Sequence, residues 1–193
     1  MADNQIVRLL EFVSAQIASE AFLLRQIDGG VLPNDDVILA RLARGNTRNT
    51  RFTPVQADAF VHPSDGYEIL AQYRNDPESS DGTGFSGTLV RNKRTNELTL
   101  SFRSTEFIDD AVRDGKSTNE MEIFQHGWAF GQIAEMEAWY AQLRNDPNLL
   151  AGRSFNVTGY SLGGHLATAF NLLRREQYAA APELNPVVAT YTF

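Results

Sequence analysis

The chain has 193 residues, enough for one domain with a sizeable hydrophobic core. Its net charge of −7, from 24 acidic and 17 basic side chains, argues against nucleic acid as a partner. It contains no cysteine, which excludes disulfides, thiolate metal ligands and a cysteine nucleophile.

Membrane and export signals are not evident in the sequence. No stretch approaches the 18 or so uncharged apolar residues of a transmembrane helix, so we expect no transmembrane segment. The first residues, Met-Ala-Asp-Asn-Gln, lack the basic and apolar regions of a cleaved signal peptide. The absence of cysteine does not by itself fix the cellular compartment.

The first 75 residues have the pattern of a mainly helical region. Residues 5–24 predict an amphipathic helix whose apolar stripe is Ile6, Leu10, Val13 and Ile17. Further helices are predicted over 35–44, from the Thr53-Pro54 cap onward, and over 66–74.

The segment 84–193 alternates between strands and helices after a predicted loop over 75–84. Predicted strands cover 85–91, 97–102, 155–158 and 187–193. Predicted helices cover 132–143 and 162–177. This alternation favours an α/β fold with a mainly parallel sheet, and we predict a single such domain over 1–193.

The most informative motif is Gly159-Tyr160-Ser161-Leu162-Gly163, between the predicted strand 155–158 and the helix 162–177. This is the G-x-S-x-G nucleophile elbow in the strand–turn–helix context that it requires. The glycines leave room where strand and helix approach closely, and the tight turn exposes the serine hydroxyl. The pattern predicts that Ser161 is a nucleophile and that the Leu162 N–H faces the oxyanion.

A serine nucleophile needs a general base, and none of the three histidines fits well. His165 lies one helical turn after Ser161, where its side chain should flank the hydroxyl. His62 and His126 precede the serine, whereas α/β-hydrolases place their acid and then their histidine after it. The triad is therefore expected to be incomplete within these residues.

A second glycine pattern, Gly82-Thr-Gly-Phe-Ser-Gly87, matches the dinucleotide fingerprint G-x-G-x-x-G. That fingerprint should follow a strand and open a helix, but here it follows a predicted loop and opens a predicted strand. We interpret it as a glycine-rich entry into a strand.

Three segments together resemble the class 3 (fungal-type) lipases, which are α/β-hydrolases and include bacterial lipases and phospholipases. Leu98-Thr-Leu-Ser-Phe-Arg-Ser-Thr105 is similar to the strand that ends in Phe-Arg-Gly-Thr/Ser, with Ser104 in place of glycine. Gln125-His-Gly-Trp128 is similar to the His-x-Gly-Phe segment, and Val157–Ala167 to the Gly-His-Ser-Leu-Gly-Gly elbow. The resemblance covers residues 84–193.

The resemblance implies an α/β-hydrolase fold that is incomplete at the C-terminus, since the triad Asp and His would follow residue 193. It also implies that Thr105 supplies a second oxyanion-hole N–H beside that of Leu162, and that His126 is structural. A C-terminal fragment of the same protein would then be a partner. Related bacterial lipases are often secreted without a cleaved signal and bind calcium, but no Asp/Gly-rich calcium loop is present.

Family members carry a lid in the region that corresponds to residues 106–124. Here Phe107, Ile108, Ala111 and Val112 form one apolar face and three aspartates lie elsewhere. We expect this segment to cover an apolar pocket in water and to open at a lipid surface, although a short helix packed permanently on the core is the alternative.

The sequence therefore predicts a lipid carboxylic-ester hydrolase of lipase or phospholipase A type that uses Ser161 and acts at an interface. No cofactor and no metal follow from this chemistry. A thioesterase, acyltransferase or peptidase shares the same elbow, and a non-catalytic fragment that requires a partner chain is a further alternative. Residues 1–193 on their own are expected to be inactive.

Overall fold

A computed structural model describes residues 2–25, 28, 30–46, 50–73, 83–104 and 126–193. These residues build one five-stranded sheet whose strands lie in chain order. The strands are β1 (Tyr67–Gln72), β2 (Gly87–Asn92), β3 (Leu98–Phe102), β4 (Phe155–Gly159) and β5 (Val187–Thr192). The helices are α1 (Ala2–Glu20), α2 (Asp35–Arg44), α3 (Pro54–Val61), α4 (Phe130–Asn145) and α5 (Leu162–Gln177).

The sheet is mixed. β2 pairs antiparallel with both β1 and β3, whereas β3, β4 and β5 pair parallel. Only β2 is reversed, so four of the five strands run in the same direction. Helix α4 lies in the connection from β3 to β4, and α5 lies in the connection from β4 to β5. The predicted α/β fold with a mainly parallel sheet is confirmed.

Helices cover both faces of the sheet. Successive strand residues point to opposite faces, so neighbouring residues pack into different cores. Leu89 packs into the core beneath α4 and α5, and the next residue, Val90, packs into the core beneath α1, α2 and α3. The first core also contains Phe102, Val157 and Phe170. The fold therefore has three layers, with the sheet between two layers of helices. The carboxyl ends of β3, β4 and β5 lie together at one edge of this sheet.

Local signals explain why several elements lie where the sequence predicts them. The Asn34 side chain accepts a hydrogen bond from the Val37 N–H and caps α2. Thr53 and Gln56 form a reciprocal capping box at the start of α3. The turn between β2 and β3 contains Asn96 at φ 59°, a conformation that asparagine tolerates better than most residues. The predicted helices over 35–44 and 162–177 are confirmed.

The helix predicted over 66–74 is wrong, because this segment contains strand β1. Tyr67 and Ile69 alternate with Glu68 and pack against the core beneath α1–α3, which is the two-residue period of a strand. The pairing with β2 shifts register between Ile69 and Ala71, so the alternation breaks within the strand. That bulge obscures the strand pattern in the sequence.

The prediction that Ile6 and Leu10 belong to the apolar stripe that packs on the core is also wrong. Ile6 and Leu10 are each 58% exposed, whereas Phe12, Ala15 and Ser19 are buried. The buried residues lie on a different side of α1, in the half of the helix that contacts the sheet. Small side chains let this half approach β3 closely, where the Ser101 hydroxyl bonds the Ser19 hydroxyl at 3.0 Å.

Buried Gln72 ties the segment after α1 to the sheet. Its Oε1 accepts from the N–H groups of Leu23 and Leu24 at 2.7 and 2.9 Å. Its Nε2 donates to the Ala21 carbonyl and to the Thr88 hydroxyl, each at 2.8 Å. All four hydrogen bonds are buried, which fixes how the chain leaves α1 at Glu20 and Ala21.

Several sequence predictions lie outside the described residues. They are Thr105, the lid over 106–124, Gln125 of the histidine segment, and most of the loop over 75–84, including Gly82. The remaining glycines of that second pattern lead into β2 as predicted, since Gly87 is its first residue. None of the described helices has the length and apolar character needed to cross a membrane.

Candidate active site

Ser161 lies at the turn between β4 and α5. Its backbone has φ 53° and ψ −120°, a conformation that non-glycine residues rarely adopt. Such strain costs on the order of 1–3 kcal/mol and persists only where the surrounding structure enforces it. The structure places Ser161 at the strained strand-to-helix turn that the motif predicts; its role as nucleophile stays a prediction.

Backbone hydrogen bonds with Phe193, the residue after β5, hold this turn. The Ser161 N–H donates to the Phe193 carbonyl at 3.1 Å, and the Phe193 N–H donates to the Gly159 carbonyl at 3.0 Å. The His165 N–H donates to the Ser161 carbonyl at 3.0 Å and begins the helical hydrogen bonding. The end of β5 therefore stabilises the elbow, a long-range contact that the motif alone does not indicate.

Two glycines of the motif are required by close backbone contacts. A Cβ at Gly159 would lie 2.1 Å from the Gly163 carbonyl oxygen. A Cβ at Gly163 would lie 2.2 Å from the Phe102 carbonyl oxygen and 2.9 Å from that of Arg103. Any other residue at either position would push α5 away from β4 or from the end of β3. The spacing of the motif is thus a packing requirement at this site.

The Ser161 side chain is exposed and forms no capping hydrogen bond with α5. Leu162 is the first residue of α5, and the N–H groups of a first helical turn have no acceptor within the helix. They lie at the positive end of the helix dipole. An anionic oxygen beside Ser161 would therefore face favourable charge, which is the environment that an acyl-transfer intermediate needs.

The three histidines lie in different environments, and none forms a hydrogen bond with the described Ser161 hydroxyl. His62 lies in the exposed turn after α3, where its Nδ1 is 2.6 Å from Asp65 Oδ1 and 3.2 Å from Ser64 Oγ. Both contacts use Nδ1, whereas a catalytic triad uses a different ring nitrogen for each partner. The exposed His126 ring lies 6.3 Å from that of Phe130.

His165 is half-buried in the first turn of α5. Its ring centroid lies 5.0 Å from that of Trp128, and its Nε2 is buried without a hydrogen-bond partner among the described residues. Burial lowers the pKa of His165 below its usual value, because desolvation disfavours the imidazolium. A neutral His165 packed on Trp128 attaches the segment before α4 to the elbow helix.

The lowered pKa has a consequence for stability. The unfolded chain binds the proton of His165 at a higher pH than the folded protein, so stability is lost as pH falls from about 6.5 through the folded-state pKa. His165→Phe keeps an aromatic ring on Trp128 and removes this titration. We expect its melting temperature to fall less than that of the wild type between pH 7.5 and pH 5. Equal pH dependence of thermal unfolding in the two proteins would contradict this assignment.

Within the described residues, no group of three or more His, Cys, Asp or Glu side chains could hold a metal ion. The second predicted oxyanion donor, Thr105, lies outside those residues. The described residues that precede Thr105 end at Ser104, whose backbone N–H donates to the Glu20 carboxylate. The sequence does not predict this contact. Glu20 is 84 residues away and carries no local motif.

No protein family and no curated protein matches this sequence. Among solved structures, the Lip2 lipase from Yarrowia lipolytica is similar, with 15% sequence identity and a TM-score of 0.38. The similarity covers 90% of this chain and 55% of that lipase, so the chain spans little more than half of the lipase's length.

The class of fold follows from the topology and the turn at Ser161. Parallel strands β3, β4 and β5, helices on both faces, and a strained strand–serine–helix turn at the carboxyl end of β4 define an α/β-hydrolase-like fold. In such sheets, ligands bind outside the carboxyl ends of the parallel strands. Ser161 lies at that edge.

Proposed function

We propose that the protein is a serine-dependent carboxylic-ester hydrolase of lipase or phospholipase A type. The observation that carries the proposal is the strained backbone of Ser161 at φ 53°. Strain of this kind in a non-glycine residue is characteristic of functional sites. It exposes the hydroxyl beside the N-terminus of α5, which is the arrangement that a nucleophilic serine requires.

In the proposed reaction, Ser161 Oγ attacks the ester carbonyl while a base removes its proton. The N–H groups of Leu162 and Thr105 stabilise the tetrahedral oxyanion. Collapse of this intermediate breaks the bond to the alcohol, which leaves with a proton, and forms an acyl-enzyme. Water then attacks the acyl group, releasing the carboxylic acid and restoring the Ser161 hydroxyl.

The proposed reaction also needs the histidine base and the carboxylate of a triad. None of the three histidines bonds the Ser161 hydroxyl, and His62 is engaged by Asp65. We propose that a histidine and a carboxylate from sequence beyond Phe193, in the same chain or as a second fragment, complete the triad. Residues 1–193 alone would then leave Ser161 a weak nucleophile at neutral pH.

An exposed aromatic side chain beside Ser161 supports a lipid as the substrate class. Tyr160, which adjoins Ser161 in sequence, is 48% exposed. Exposed aromatic side chains at a reactive serine suit an acyl chain or the surface of a lipid aggregate. The net charge of −7 favours neutral or zwitterionic lipids over anionic ones.

A comparison of ester, amide and thioester substrates tests the proposal directly. The full-length protein, meaning residues 1–193 together with the sequence proposed to follow them, is expected to hydrolyse p-nitrophenyl esters and dispersed phospholipid or triacylglycerol. It should turn over matched amides only slowly. Ser161→Ala should lose this turnover. Ser64→Ala is the control for that variant, because Ser64 also lies beside a histidine and an aspartate but in the exposed His62 turn. Preferred turnover of an amide or thioester would favour a peptidase or thioesterase. Absence of any acyl transfer would contradict the enzyme assignment.

A further inference from the structure

The carboxylate of Glu20 is buried at the end of α1. Glu20 is the last residue of this helix and has no exposed surface. Buried carboxylates are rare in proteins unless hydrogen bonds or charges compensate for the lost water. The position therefore requires a specific set of partners.

Four donors surround this carboxylate. Oε1 accepts from Gln16 Nε2 at 2.6 Å and from the Ser104 backbone N–H at 3.0 Å. Oε2 accepts from the Ser104 hydroxyl at 2.7 Å and from Asn46 Nδ2 at 3.2 Å. Two of the four donors thus belong to Ser104, one to its backbone and one to its side chain.

Ser104 lies close to the elbow along the chain. It follows β3 by two residues, and the carbonyl groups of Phe102 and Arg103 lie against Gly163 in the first turn of α5. The chain that Glu20 holds is therefore the chain that leaves the sheet beside Ser161.

We propose that Glu20 is a positioning residue for the first turn of α5, which carries the proposed Leu162 oxyanion donor, an inference that rests on the proposed hydrolase function. By bonding both the N–H and the hydroxyl of Ser104, its carboxylate fixes the direction in which the backbone leaves β3. The anchored Phe102 and Arg103 carbonyls pack on Gly163, the residue after Leu162. An oxyanion donor acts only when it is aimed within hydrogen-bond distance of the developing charge, so the position of the Leu162 N–H affects the rate of the chemical step.

The test compares steady-state kinetics of the full-length protein and its variants on a soluble p-nitrophenyl ester. Glu20→Ala is expected to lower kcat by about 10- to 100-fold with KM changed less than about twofold, as for a displaced oxyanion donor. Glu20→Gln retains one oxygen for the Ser104 N–H and a carboxamide beside the hydroxyl. It should recover kcat to within about fivefold of the wild type.

Ser19→Ala is the matched control. Ser19 is the neighbouring residue on α1, is equally buried, and also bonds β3, but through Ser101. It should lose stability without a comparable loss of kcat. If Glu20→Ala does not fold, Ser104→Ala removes only the hydroxyl contact and should lower kcat by about 3- to 10-fold.

The outcomes separate the two claims. A wild-type protein that hydrolyses no ester and is not labelled by a serine-directed phosphonate overturns the proposed function, and this inference with it. An active wild type whose kcat is unchanged in Glu20→Ala and Ser104→Ala overturns the inference alone. Equal losses of kcat in Ser19→Ala and Glu20→Ala would also overturn it, because the effect would then be general loosening of α1.

Discussion

Replacing Ser161 with alanine is expected to reduce kcat for ester hydrolysis by the full-length protein about 10⁶-fold, the loss typical of a missing nucleophile. The turn should survive, because its stabilising contacts are backbone hydrogen bonds from Phe193 and His165 that alanine also makes. The circular dichroism spectrum and melting temperature should therefore match those of the wild type. Substantial turnover by Ser161→Ala would show that another residue attacks the substrate.

Ser161→Gly provides a control that separates strain from chemistry. Glycine adopts φ 53° without a steric penalty, so relief of roughly 1–3 kcal/mol of strain exceeds the entropic cost of about 0.5–1 kcal/mol. The variant should be inactive and more stable than the wild type by roughly 1 kcal/mol. Destabilisation by this change in denaturant titrations would mean that the serine conformation is not strained.

Gly163→Ala is expected to destabilise the fold by about 3 kcal/mol or more, because the new methyl group meets backbone that has little room to move. Its Cβ would lie 2.2 Å from the carbonyl oxygen and 2.8 Å from the carbonyl carbon of Phe102. Phe102 is fully buried in β3, so α5 would have to shift away from the sheet. The same shift would move Leu162 and reduce activity.

Gly164→Ala is the matched control, one residue further along the same helix. A Cβ there would lie 3.3 Å from the Gly159 carbonyl oxygen and 3.6 Å from the next nearest atoms. Alanine is also the better helix former by about 1 kcal/mol, which offsets this tight contact. We expect its free energy of unfolding to lie within about 1 kcal/mol of the wild-type value. Similar losses for both glycines in urea titrations would contradict the packing account.

Elements with local signals could be predicted from the sequence. The helix that starts after Asn34 and the helix that starts after Ser161 have the predicted bounds, because caps and the glycine motif act within a few residues. The strands predicted over 85–91 and 97–102 are present as β2 and β3. Such features depend on neighbouring residues, which the sequence displays directly.

Features set by tertiary packing could not be predicted. The apolar residues Ile6 and Leu10 are exposed because they lie on a different side of α1 from Phe12, Ala15 and Ser19, which are buried. Strand β1 was missed because a bulge interrupts its alternation. In both cases the decisive contact is with a residue distant in sequence.

The candidate site also has a part that the sequence predicts and a part that it does not. The turn at Ser161 was predicted because its glycine spacing is a local packing requirement. The backbone bonds from Phe193 and the carboxylate of Glu20 were not, since neither residue type nor spacing marks a long-range hydrogen bond. In retrospect Glu20 carries one signal, since it is an acidic residue that directly follows the buried small residues Ala18 and Ser19.

Mapping of a serine-directed inhibitor tests the central claim most directly. An alkyl fluorophosphonate forms a bond between the serine oxygen and phosphorus as fluoride leaves, and only an activated serine reacts quickly. After incubation of the full-length protein, digestion and mass spectrometry should find a single adduct, on Ser161, that is absent from Ser161→Ala. An unmodified Ser161, or an adduct on a different serine that accompanies loss of ester hydrolysis, would contradict the account.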